Sequence, residues 1–84
     1  MDTQLRQKLT ELHAKLEQTQ MLDDESRQLL EHLQHDIQAV LNESNPSTRQ
    51  SLRNRLSAAI AHWEISHPRL TLVLKQVLDN LAQI

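Results

Sequence analysis

The sequence predicts an all-α protein: four short helices in two hairpins, packed as a small antiparallel bundle that can complete its core by dimerising. Two observations carry that expectation. Apolar residues recur at alternating spacings of four and three through almost the whole chain, and none of the 84 residues is glycine. The mean spacing of about 3.5 keeps each apolar set on one stripe of a helix. Without glycine there is no phosphate-cradling loop, no glycine-rich dinucleotide turn and no strained nucleophile elbow, which removes many enzymes.

The first stripe is Leu5, Leu9, Leu12 and Leu16, on a helix expected from Thr3 to Gln20. Met21-Leu22-Asp23-Asp24-Glu25 then reads as a tight connection and a helix start. Asp23 can cap exposed amides, while Asp24 and Glu25 oppose the positive end of the helix dipole. Helix 2 carries Leu30, Leu33, Ile37 and Val40 and extends to Leu41, with Asn42 as its terminator. So short a connection forces an antiparallel hairpin over residues 3–41.

Residues 42–47 form the longest loop-like stretch. Pro46 disfavours helix for the residue before it. Ser47 with Gln50 three residues later fits a capping box, which starts helix 3 near Thr48. Leu52, Leu56, Ala59 and Trp63 are its stripe, and Ile65 its expected end. Ser66-His67-Pro68 interrupts the pattern; proline suits the first turn of a new helix, with Ser66 or His67 as cap. The rival arrangement is three helices, the last kinked at Pro68, and a corner is favoured over a kink. Helix 4, with Leu70, Leu74, Val77, Leu81 and Ile84, closes the helical pair over residues 48–84. Residues 1–84 thus read as one helical domain, near the size at which a single core just suffices.

Cysteine is absent, so neither disulfides nor thiolate metal sites staple the fold, and a reducing cytosol suits it. Met1-Asp2-Thr3 has no basic region followed by an apolar stretch. The run Leu72-Val73-Leu74 is far too short to span a bilayer. A cytoplasmic protein with no membrane partner is expected. Charge is unevenly spread within the formal net of -2. Residues 1–44 hold four cations against nine carboxylates, a net of -5, and residues 45–84 hold five cations against two, a net of +3. Such halves attract, within one chain or between two copies.

Helix 4 carries more apolar residues than one stripe needs. Val73 and Leu78 flank its ladder and Leu72 lies on the far side. Leaving three such side chains in water forgoes roughly 5–9 kcal/mol, comparable to the whole stability of a small domain. Leu72, Val73 and Leu78 are therefore the candidate interface, with helix 4 either central to the bundle or part of an oligomer.

Four other groups invite chemistry. His32 and Asp36, like Glu31 and His35, stand one helical turn apart, a spacing that can present two ligands to one ion; the heptad register turns both histidines to solvent, so no metal is expected. Trp63, His67, Pro68 and Arg69 form a candidate structural corner, with a ring contact between Trp63 and His67. A recognition pocket using Arg69 for an anion is the functional alternative there. Arg49, Arg53 and Arg55 raise nucleic-acid binding, against which stand an acidic chain and the lack of stacking aromatics. Finally, no spacing pairs a nucleophile with an oriented base, so no enzyme, no cofactor and no small-molecule substrate are expected.

The chain resembles a family of short bacterial proteins classed as a domain of unknown function. The likeness spans nearly the whole sequence and rests on Leu22-Asp23-Asp24-Glu25, Asp36-Ile37, Trp63-Glu64, His67-Pro68-Arg69-Leu70 and Asp79-Asn80-Leu81-Ala82. Trp63 stands where relatives are expected to carry phenylalanine, which keeps an aromatic plug. The resemblance implies a small helical fold and transfers no activity or site residue. Together these observations point to a non-enzymatic protein-interaction or oligomerisation module, whose partner is a second copy, most simply a dimer, or another protein. The alternative is a small nucleic-acid-binding regulator using the helix 3 arginines.

Overall fold

The computed structural model describes residues 3–83. Four helices follow one another: α1 (Thr3–Gln18), α2 (Asp24–Asn42), α3 (Pro46–Trp63) and α4 (Pro68–Ala82). No strand occurs among the described residues. α1 packs on α2 and α4, and α3 packs on α2 and α4, while the diagonal pairs make no close backbone contact. With connections this short, neighbours run antiparallel around a closed ring, and the bundle measures 33 × 20 × 19 Å. Both hairpin connections, 19–23 and 64–67, lie at one end, where Thr19 and His67 line a common cleft.

The four stripes meet as the ladders predict. Leu5, Leu9, Leu12 and Leu16 are fully buried, as are Leu33, Ile37, Val40, Leu52, Leu56, Ala59, Trp63, Leu74 and Val77. Leu70 and Leu81 are nearly so. Ile84, the last residue of the fourth ladder, lies outside the described residues. Leu30 is only half-buried, and Met21, in the connection where the sequence places it, is buried. Ser26, one turn before Leu30 on the same stripe, is buried too. Its hydroxyl lies 3.2 Å from His62 Nε2 on α3, so a polar side chain at this seam position has a partner.

Pro68 marks a corner and not a kink. α3 stops at Trp63, two residues before its expected end, and His67 N–H donates to Trp63 O at 2.8 Å. His67 occupies the cap position of α4, but its side chain makes no capping bond. Thr71 instead donates its hydroxyl to Pro68 O at 2.8 Å. α1 likewise ends at Gln18, two residues early, where the Thr19 hydroxyl takes Lys15 O at 2.7 Å.

The middle connection corrects the sequence reading most. It comprises only Glu43, Ser44 and Asn45, because α3 begins at Pro46 rather than Thr48. Pro46 occupies the first helical turn, where its missing N–H costs nothing. The capping box is built by Asn45 and Thr48, not Ser47 and Gln50: Thr48 N donates to Asn45 Oδ1 at 2.9 Å and Asn45 N to Thr48 Oγ1 at 3.0 Å. Gln50 turns along the helix and donates to Asn54 at 3.0 Å. Replacing Asn45 by alanine is expected to cost about 1 kcal/mol, typical of a lost cap. That is a fall of roughly 4–8 °C in Tm for a domain of this size. Ser47→Ala should leave Tm almost unchanged, and thermal melts of the two variants check the assignment.

Candidate interaction surfaces

α4 places its three surplus apolar residues differently. Val73 and Leu78 are half-buried and pack against the core, whereas Leu72 is 60% exposed. At roughly 100° per residue, Val73 and Leu78 fall on opposite sides of Leu72. They seal the two seams of α4, and Leu72 alone faces outward, with Arg69 and Lys75 one turn to either side.

Trp63 plugs the core at the connection end. Its ring meets His67 edge-on at 6.4 Å and 84°, the contact expected from sequence. Its indole Nε1 has no hydrogen-bond partner among the described residues. Arg69 is exposed and lines a shallow cleft with Lys15, Thr19 and Leu70.

Two of the three α3 arginines are engaged with neighbouring segments. Arg55 Nε donates to Asp36 Oδ2 on α2 at 3.0 Å, and Arg49 donates to Ser44 at 3.1 Å. Arg53 pairs with Gln50 on its own helix. Arg55–Asp36 is the one ion pair among the described residues that joins the acidic and basic halves. Most of the imbalance therefore remains on the surface, negative on the α1–α2 flank and positive on the α3–α4 flank. His32 and His35 are exposed, and no group of three or more His, Cys, Asp or Glu side chains suited to a metal occurs among the described residues.

Two surface features escaped the sequence reading. Leu22 and Ile65 are 87% and 96% exposed, one on each connection at the same end of the bundle. Both follow an apolar stripe closely, and only the early ends of α1 and α3 turn them outward. The second feature is a groove of about 520 Å³ along the α1–α2 seam. Its floor is Leu16, Met21 and Leu30 and its rim includes Glu17, Glu31 and Gln34. Leu30, a ladder residue, is left half-buried there.

A family model described as a domain of unknown function (DUF4404) matches residues 5–84, and the chain belongs to that family. No curated protein and no solved structure matches it.

At the start of α2, Asp23 accepts from Ser26 N at 3.0 Å. That backbone bond, followed by the Ser26 hydroxyl, holds the Asp23 carboxyl below its usual range. A folded-state value lower than the unfolded one adds stability that is complete above the unfolded value, about 3.9. It is lost as pH falls through the folded value. Asp23→Asn keeps a capping oxygen and removes the titration. Melts between pH 5 and 2 should therefore show a shallower acid decline for the variant; an equally steep decline would rule Asp23 out as a contributor.

Proposed function

We propose that this member of the family is a non-enzymatic interaction module that assembles with further copies of itself through its helix faces. The observation that carries this reading is Leu72. It stands 60% exposed on α4, the helix with the greatest apolar surplus, while its companions Val73 and Leu78 are used by the core. An outward leucine ringed by polar side chains gains on being covered. The engagement of Arg49 and Arg55 by Ser44 and Asp36 leaves the nucleic-acid alternative with less free positive charge than the sequence offers. No helix among the described residues is long and apolar enough to cross a membrane.

Light scattering over a hundredfold range of protein concentration tests the reading. The wild-type chain is expected to exceed monomer mass as concentration rises, and Leu72→Glu to remain at monomer mass with helicity unchanged. A wild-type chain that stays monomeric throughout overturns the proposal.

A further inference from the structure

We propose that assembly is head to tail: Leu72 of one copy enters the α1–α2 groove of the next, between opposite charges. This rests on the self-association proposed above and goes further by naming both surfaces and their order. The groove has an apolar floor of Leu16, Met21 and half-buried Leu30. Its rim carries two carboxylates, Glu17 and Glu31, among the neutral Thr19, Gln20 and Gln34. Glu31 has no ion-pair partner among the described residues, and Glu17 meets only His13, at 3.2 Å. Arg27, also at the groove, is already paired with Asp24.

The knob carries the opposite sign. Leu72 sits between Arg69, which makes no ion pair among the described residues, and Lys75, whose exposed contact with Glu64 spans 3.9 Å. An exposed pair of that length is worth little and is easily exchanged. A leucine flanked by cations thus matches a groove with an apolar floor and two carboxylates on its rim. The match follows the division of the chain into a -5 half and a +3 half, which the single Arg55–Asp36 pair bridges.

Topology sets the order. α4 is diagonal to α2 in the ring, so Leu72 points away from the α1–α2 flank. Two copies cannot place both knobs in both grooves at once, and each added copy leaves one knob and one groove free. That is a heterologous contact, which continues into a ring or an open chain. A flank of 33 by 20 Å offers roughly 660 Å² per partner, at or below the usual area of a stable interface. The association is accordingly weak and concentration-dependent, and salt weakens it further.

Mixing two crippled chains provides the test. Leu72→Glu loses the knob and keeps the groove; Leu30→Arg fills the groove and keeps the knob. Each alone should show monomer mass at concentrations where the wild type assembles. The equimolar mixture should reach twice the monomer mass and stop, because only one productive contact is left. If Leu30→Arg lowers helicity, Glu31→Arg on the exposed rim takes its place. Wild-type assembly with no recovery in the mixture overturns the head-to-tail contact alone and leaves self-association standing. A wild type that never exceeds monomer mass overturns both.

Discussion

Everything in this molecule depends on four apolar stripes closing on one another. The helices are 15 to 19 residues long, little beyond the length at which even an alanine-rich isolated helix is marginal in water. No disulfide is available. The stripes are therefore what hold the helices as helices, as well as what hold them together. The seam is tight enough that Leu5, Leu9, Leu12, Leu16 and their partners are wholly covered. At the connection end the bundle buries both the bulk of Trp63 on α3 and the small Ser26 on α2, a mix of large and small that helps a core fill evenly.

The lack of glycine shapes the helix ends as much as it narrows the chemistry. Helices often stop on a left-handed residue, usually glycine, yet no described residue has a positive φ. Termination falls instead to side chains and extended backbone: the Thr19 hydroxyl donating to Lys15 O, and Glu43 in an extended conformation. These devices leave short connections with little slack. Leu22 and Ile65 are held out in solvent on the five-residue and four-residue connections at the connection end, the first of which turns Met21 inward instead.

The fold was legible because period and stripe are local properties that burial then enforces. The helical stripes could be read from spacing, apart from the half-buried Leu30, and the corner from Pro68. The errors were errors of competition. Ser47–Gln50 and Asn45–Thr48 both satisfy a capping pattern, and the second prevails because it lets Pro46 serve as the first helical residue. The burial of Met21 was not legible because Met21 and Leu22 stand side by side in a short connection, with no period to say which turns inward. The groove was missed for a deeper reason: it arises from how α1 and α2 lie together near their connection, and no spacing within either helix encodes that angle.

Charge and apolarity together give the surface a direction that neither gives alone. If the acidic and basic halves served only to hold the bundle together, ion pairs between α2 and α3 should have consumed most of their charge. One such pair forms, Arg55 to Asp36, while Glu31 and Arg69 are left on opposite flanks. Retaining unpaired charge on both sides costs little in stability, because exposed pairs contribute little. In the proposed assembly it would set the order in which copies meet: like flanks repel and unlike flanks attract. A leucine on the positive flank and an apolar groove on the negative one then add contact where the field already favours approach. Of the apolar surplus on α4, Val73 and Leu78 are used inward, and the proposed contact is what would use the exposed Leu72.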